Sequence, residues 1–314
     1  MSIQELINLA NGLFATLSKW GKMADFSITG GEPFLKKELF TLLEHLNLSQ
    51  HTYAIDILSN GTLIDIDAAK RLKDLNKLKF VQLSLEGASQ ETNDKIRGQG
   101  TFEKVIQNIR MLSSYKIDVN IMFTLQRSNM QDIPSLIDLA IEQNVRGLTI
   151  ERMIPIGSAS EHTDKMLSPE EIRDIFQYIA DRSDLEYDKG RKLHILKYRP
   201  LWVIIDPCRA KVGVDTAPKR ELGASCSIGL DGICILPDAT VLPCRRLPIP
   251  IGNLQRDSLH KIWHRSELLW RIADKRNLKG KCSTCQLVPR CGGCRAMAYA
   301  YTGDYLSEDP QCWA

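Results

Sequence analysis

The chain has 314 residues and 35.5 kDa, is 43% hydrophobic and 25% charged, and carries a formal net charge of +3. Such proportions belong to a globular chain and exclude disordered and fibrous classes. With no run of eighteen uncharged apolar residues, no basic then apolar leader, and basic residues scattered except at Arg245-Arg246, we expect a cytoplasmic protein with no membrane and no nucleic acid among its partners.

The first segment, "SIQELINLANGLFATLSKW", reads as a helix with a capping box from Ser2 to Glu5 and an apolar stripe through Ile3, Leu6, Ile7, Ala10, Phe14 and Leu17. From there to Met153 one unit repeats: a short strand-like run, a turn, then an amphipathic helical stretch. Strands are predicted at 25–29, 53–58, 80–85, 119–125 and 148–153, with helices at 37–48, 68–75, 102–113 and 133–143 between them. Strands joined this way run parallel. Val81, Leu83 and Leu85 alternate with Gln82, Ser84 and Glu86, and Ile121, Phe123 and Leu125 with Asn120, Met122 and Thr124; Ile150 and Arg152 alternate with Thr149 and Glu151. A doubly wound sheet buries both faces and reads as continuous apolar runs, so a polar face predicts a closed or partial barrel whose interior holds a ligand. Its active residues would lie at the C-terminal strand ends.

A polar loop, "IPIGSASEHTDKMLSPEE", leads to a helix start at Ser168-Pro169, a helix to about residue 181, and "LWVIIDPC". All nine cysteines follow. None precedes Cys208, an asymmetry that marks a domain boundary, and an odd count without an export signal favours metal binding over disulfides. Two CxxC pairs stand five residues apart in "CSTCQLVPRCGGC", at Cys282, Cys285, Cys291 and Cys294; Cys226, Cys234 and Cys244 lie upstream and Cys312 downstream. Eight thiolates complete two four-cysteine sites and leave Cys208 spare, in a setting that suits a buried small hydrophobe. Zinc and iron-sulfur clusters both accept four thiolates, although the short gap and the room at Gly292-Gly293 favour the cluster.

"FSITGGEPFL" ends the first predicted strand in two glycines, a glutamate and a proline. A strand, a glycine turn and a proline at a helix start serve many loops that bind nothing. Read functionally, Gly30 and Gly31 let backbone carbonyls approach a ligand, and the Glu32 carboxylate accepts from an ammonium group.

"TGGEPFL", "LSNGTLI", "QLSLEGASQETNDKIRGQGTF" and the terminal cysteine pattern with "GDYLSEDPQCW" occur in an order that resembles the radical S-adenosylmethionine (radical SAM) enzymes with a C-terminal SPASM domain. The resemblance covers nearly the whole chain. It implies a partial (β/α)6 TIM-like barrel missing its first strand over residues 1–185, a linker over 186–225, and a small cysteine-rich iron-sulfur domain over 226–314. It also assigns Gly30, Gly31, Glu32 and Pro33 to the amino group of S-adenosylmethionine, Ser59 and Asn60 to positions near that cofactor, and Ser84 to its ribose. Glu86 stands where an aspartate is commoner. Cys226, Cys234, Cys244 and Cys294 would hold one auxiliary 4Fe-4S cluster, and Cys282, Cys285, Cys291 and Cys312 the other.

The chemistry of this family begins at a CxxxCxxC loop after the first barrel strand, and no such spacing occurs in this sequence. "MSIQEL" looks like the helix that follows that loop. A late start or truncation, and a natural loss of the chemistry, both account for this; retention of GGEP beside a polar barrel face favours truncation. A third, radical SAM cluster is therefore expected only if an N-terminal segment exists, and no catalytic residue is assigned. The implied function is an oxidoreductase that generates a 5′-deoxyadenosyl radical to modify a peptide, a protein or a tetrapyrrole. Its electron donor would be a flavodoxin or a ferredoxin. "RCGGCRAMAYAYTGDYLSEDPQC" resembles haem-pathway members, and Arg245 stands where sulfatase-maturing members carry an aspartate. The rival is a non-catalytic iron-sulfur or zinc protein with a structural, binding or electron-transfer role.

Overall fold

A computed structural model describes residues 1–197, 199–205, 226, 228–288 and 290–314; Cys208 lies outside the described residues. The chain divides into two compact units, Met1–Glu151 with Glu186–Ile195, and Arg152–Leu185 with Leu196–Ala314.

The first unit opens on α1 (Ile3–Trp20). Its capping box is present as the sequence predicts, Ser2 accepting from the Glu5 amide and Glu5 from the Ser2 amide, and Gly21 closes the helix in the left-handed region. The strand-helix repeat follows as β1 (Ala24–Ile28), α2 (Leu39–Leu48), β2 (Thr52–Ser59), α3 (Ile66–Lys73), β3 (Leu78–Ser84), α4 (Gln90–Arg97), α5 (Thr101–Ser114), β4 (Val119–Leu125), α6 (Ile133–Glu142), β5 (Gly147–Arg152), α7 (Pro169–Asp188) and β6 (His194–Ile195). The six strands form one sheet in the order β1-β2-β3-β4-β5-β6, and the pairs β1-β2, β2-β3, β3-β4 and β5-β6 are parallel. Unbroken sequential order is that of a barrel wall, whereas a doubly wound sheet reverses at a switch point.

One face of this wall is the core. Ile55, Ile57, Val81, Leu83, Leu85, Ile121, Phe123 and Leu125 are buried there, and Leu43, Leu72, Ile109, Leu112 and Ile137 are buried on the helices. Each contributes about 1.5–3 kcal/mol relative to exposure. The other face is polar and, in its central strands, also buried, through Asp56, Gln82, Asn120, Thr149 and Glu151. Burial pushes the Asp56 carboxyl up against a hydrogen bond from Ser27.

The sequence reading missed α4 and β6. Helix α4 is polar almost throughout, so it lacks the apolar stripe that signals a helix. It is held instead by the Ser89 cap and by Asp94. The Asp94 carboxylate accepts from the amides of Gly100 (2.7 Å) and Phe102 (2.9 Å) and from the Thr101 hydroxyl (3.1 Å), which ties α4 to the start of α5. Partial desolvation raises its pKa, but these donors outweigh it and bring the pKa to about 2. Since an unfolded aspartate titrates near ~3.9, the contribution of Asp94 is full above roughly pH 5 and is lost as pH falls through the folded value. Asp94→Ala is expected to flatten the acid limb of stability between about pH 5 and pH 2, read by urea unfolding at each pH; an unchanged pH profile would show that these bonds carry no stability.

The second unit contains Arg152 at the end of β5, most of α7, α8 (Trp202–Ile205), and a three-stranded antiparallel sheet of β7 (Cys234–Ile235), β8 (Thr240–Leu242) and β9 (Gly252–Asn253). Helices α9 (Leu259–Arg265), α10 (Glu267–Ala273) and α11 (Arg295–Thr302) complete it. Its core gathers Met153, Ile154, Met166, Ile228, Leu247, Ile272, Ala296 and Met297, with Cys226, Cys244 and Cys294 packed against them. Among the described residues no helix is long and apolar enough to cross a membrane.

Candidate functional site

At the end of β1 the GGEP turn is exposed at Gly30 and Gly31 and buried at Glu32 and Pro33. Neither glycine has a positive φ, and a Cβ added to either would meet no atom within 4 Å. Backbone conformation therefore does not demand glycine here, and packing does not either. What glycine supplies is bare backbone open to its surroundings.

Glu32 is fixed by its neighbours. Its Oε1 accepts from the Ser59 hydroxyl (2.8 Å) and the Phe34 amide (3.2 Å), and its Oε2 from the Asn60 amide (2.8 Å). The structure thus brings together Glu32, Ser59 and the backbone of Asn60, whose own side-chain oxygen turns away to Thr62. With one donor on Oε2, that oxygen keeps acceptor capacity for an ammonium group. The donor set and the open glycine backbone fit the amino acid end of S-adenosylmethionine.

Ser84 ends β3, half-buried. Glu86, two residues on, is committed to protein partners: it pairs with Arg97 (2.5 Å) and accepts from the Thr124 amide (2.5 Å), while its backbone is held by Asn93 and Asn129. Its carboxylate therefore orders α4 and the end of β4. Asn93 and Asn129, both buried, went unremarked in the sequence; an asparagine inside a helix, a poor helix former, is the signal that would have found the first.

In the second unit the cysteines form two neighbourhoods. Cys226 lies within electrostatic reach of Cys294 and Cys244, and Cys244 of Cys234. Cys282, Cys291 and Cys312 lie within reach of one another. Cys285, half-buried, joins Cys282 through the CxxC turn alone. Burial drives the thiols of Cys234, Cys282, Cys294 and Cys312 up and pushes Cys226 up to about 12. Metal binding at these thiols must therefore expel protons.

Two of the sulfurs accept backbone N–H groups: the amides of Arg246 and Gly293 donate to Cys244 and Cys291, each at 3.4 Å, and in both the donor stands two residues after the cysteine. A sulfur that accepts from the backbone is placed in the role of a ligating thiolate.

Gly292 and Gly293 both take positive φ, +146° and +62°, and a Cβ on Gly293 would sit 2.7 Å from the Asp309 Cβ and 2.8 Å from Arg295 Nη2. Gly293 thus lets the chain turn tightly against Asp309 and Arg295.

Behind Cys294 lies a buried ion pair. Arg152 donates from Nη1 to Asp309 Oδ1 (3.0 Å) and Gln311 Oε1 (3.0 Å), and from Nη2 to Asp309 Oδ2 (2.7 Å). Asp309 also accepts from the amides of Cys294 (2.8 Å) and Gln311 (3.1 Å). Burial would raise the Asp309 carboxyl, but Arg152 and these donors hold it below the usual carboxylate range.

Arg295, 3% exposed, gives Nη1 to the carbonyls of Tyr305 (2.8 Å) and Ser307 (2.7 Å), while its Nε and Nη2 have no partner in the protein. Orphaned N–H groups beside clustered thiols fit an anionic iron-sulfur cluster, whose sulfurs accept them. No residue set in the 314 has the CxxxCxxC spacing.

Comparison with known proteins follows the same division. The family model for the Radical SAM superfamily matches residues 11–140, and that for the SPASM iron-sulfur cluster-binding domain matches residues 226–286. The chain is 28% identical over 293 residues to an AdoMet-dependent heme synthase of Methanosarcina barkeri, covering 91% of this chain and 81% of that protein. Among solved structures, the enzyme anSMEcpe with bound AdoMet superimposes with a TM-score of 0.76 at 20% identity, over 99% of this chain and 81% of the other. Streptococcus suis SuiB bound to its precursor peptide SuiA gives 0.74 at 17% identity, over 97% and 69%; in its S-adenosylmethionine complex 66% of SuiB is covered, so the chain spans about two thirds of that protein. The two structural likenesses show the fold. A GGEP turn ending the first strand of a parallel barrel wall, and a cysteine-rich unit after it, agree with both matches: this chain carries a Radical SAM superfamily domain followed by a SPASM iron-sulfur cluster-binding domain.

Proposed function

We propose that the chain binds S-adenosylmethionine through Gly30, Gly31, Glu32 and Pro33, with Ser59, Asn60 and Ser84 nearby, and carries two auxiliary 4Fe-4S clusters for radical modification of an iron tetrapyrrole. The observation that carries the reading is the glycine pair, exposed and unconstrained by φ or by packing. A carboxylate buried beside it and braced by Ser59 and Asn60 gives an ammonium group its acceptor. Cys226, Cys234, Cys244 and Cys294 would hold one cluster, and Cys282, Cys285, Cys291 and Cys312 the other; when bound, such clusters transfer single electrons. The tetrapyrrole reading follows the 28% identical heme synthase, a likeness along nearly the whole chain. Modification of a peptide is the second reading, favoured by the fold shared with SuiB in its peptide complex.

Gly31→Val tests the cofactor assignment. A Cβ at this position meets no atom within 4 Å, so the melting temperature is expected to hold while S-adenosylmethionine binding, read by calorimetry, is lost. Glu32→Ala is expected to weaken binding at least tenfold, the loss of a charge-assisted hydrogen bond worth ~1.5–3 kcal/mol, with iron content unchanged. Binding at the unaltered affinity by both variants would overturn the assignment. Haem added to the chain should give a shifted Soret band; binding of a peptide instead would move the function to the second reading. Radical formation itself needs the cluster of a CxxxCxxC loop, a spacing the 314 residues do not contain, so the purified chain by itself, reconstituted and reduced, is expected to release no 5′-deoxyadenosine; its release above a protein-free blank would overturn this.

A further inference from the structure

A small cavity, about 30 Å³, opens in the second unit between the two cysteine neighbourhoods. Cys226 of one and Cys291 of the other line it, together with Gly292, Gly293, Lys275 and Arg295. We infer that Lys275 and Arg295 form a shared cationic bridge that raises the reduction potential of both auxiliary clusters. This rests on the two-cluster reading above.

The geometry puts two positive charges where two negative centres meet. Lys275 runs alongside the CGGC turn, its Cε 3.6 Å from where a Cβ on Gly292 would be. Its ammonium lies within electrostatic reach of both Cys291 and Cys226. Arg295, at the start of α11 directly after Cys294, lies within reach of Cys282 and directs its unpartnered Nη2 beside the Gly293 backbone. A guanidinium keeps its charge under all ordinary conditions, and a buried one needs an anion or hydrogen-bond acceptors around it. The nearby carboxylate, Asp309, is already committed to Arg152 and to two amides. A four-thiolate cluster is anionic and gains one further negative charge on accepting an electron. Fixed cations and N–H donors at its sulfurs therefore stabilise the reduced form more than the oxidised form. Since Lys275 reaches a thiol of each group, its charge acts on both clusters at once.

The test is a redox titration of the reconstituted 314-residue chain with dithionite, followed by electron paramagnetic resonance, after metal analysis. Lys275→Gln is expected to lower the midpoint of both clusters, each by about tenfold in the ratio of reduced to oxidised form at fixed potential, which is about 59 mV for one electron. Lys275→Arg is expected to restore both. Arg295→Lys, which keeps the charge but loses the planar donor pair, should lower both by less. Midpoints that stay fixed in Lys275→Gln, or one that moves while the other stays, would overturn the bridge. Iron lost equally from Lys275→Gln and Lys275→Arg would overturn it too, by showing a purely structural role. Zinc in place of iron would be seen at the metal analysis and would fail the cluster reading itself.

Discussion

Asp309→Ala is expected to destabilise the second unit by about 3–5 kcal/mol, the usual cost of leaving one partner of a buried ion pair alone. Arg152 is 8% exposed, and its guanidinium makes two bonds to Asp309 and one to Gln311. Removing the carboxylate takes two bonds and the opposite charge from that buried guanidinium and also frees the amides of Cys294 and Gln311. Gln311 is bound in turn to the carbonyl of Leu167, so the loss propagates into the loop before α7. A domain stable by 5–15 kcal/mol overall feels such a loss as a large fraction of its total.

The size of the effect belongs to a buried charge that has lost its counter-charge and not to the attraction itself. Replacing both partners by apolar residues of similar volume, as in Arg152→Met with Asp309→Leu, removes the desolvation cost together with the bonds. The double variant is therefore expected to recover most of the stability lost in Asp309→Ala, although the Cys294 amide stays without its acceptor. Urea denaturation of the three proteins reads this directly. A double variant no more stable than Asp309→Ala would mean that the amide bonds to Asp309, and not the ion pair, hold this region.

This pair shows where the sequence stopped being legible. Arg152 stands at the end of the apolar alternation that includes Ile150, and a charge in that place announces a buried partner; the partner lies 157 residues away, which no local pattern reveals. Strands were legible because their alternation is local: β4 lies at Val119–Leu125, as the pattern has it, and the others agree within two residues at either end. Helix α4 was hidden because its stability comes from Asp94 and Ser89 and not from an apolar stripe. Strand β6 has two residues, too few for alternation to register. In the candidate site the GGEP turn was readable, since the residue types themselves imply exposed backbone and an acceptor. Lys275 and Arg295 were not, because a basic residue near a cysteine acquires meaning only when the fold sets it between thiols far apart in sequence.

Cys226→Ser and Cys291→Ser are expected to remove different halves of the bound iron. With two four-iron clusters, the reconstituted chain carries about eight iron atoms, and each variant should retain about four. The expectation follows from the two neighbourhoods: Cys226 shares its surroundings with Cys294 and Cys244, whereas Cys291 shares its own with Cys282 and Cys312. Within each group one thiolate's loss opens a coordination position and destabilises the whole cluster, but leaves the other group's ligands in place. Cys285→Ser is expected to follow Cys291→Ser, because the CxxC turn aims its sulfur with that of Cys282. Cys208→Ser should keep all the iron, since eight ligands are complete without it. Combining Cys226→Ser with Cys291→Ser should leave a colourless chain, and the remaining colour of each single variant then reports one cluster at a time. If either single variant loses all its iron, the two groups form one coupled site and the division of ligands proposed for them fails. If the unaltered chain binds two zinc ions instead, the same substitutions would each remove one ion, and the electron-transfer role would give way to a structural one.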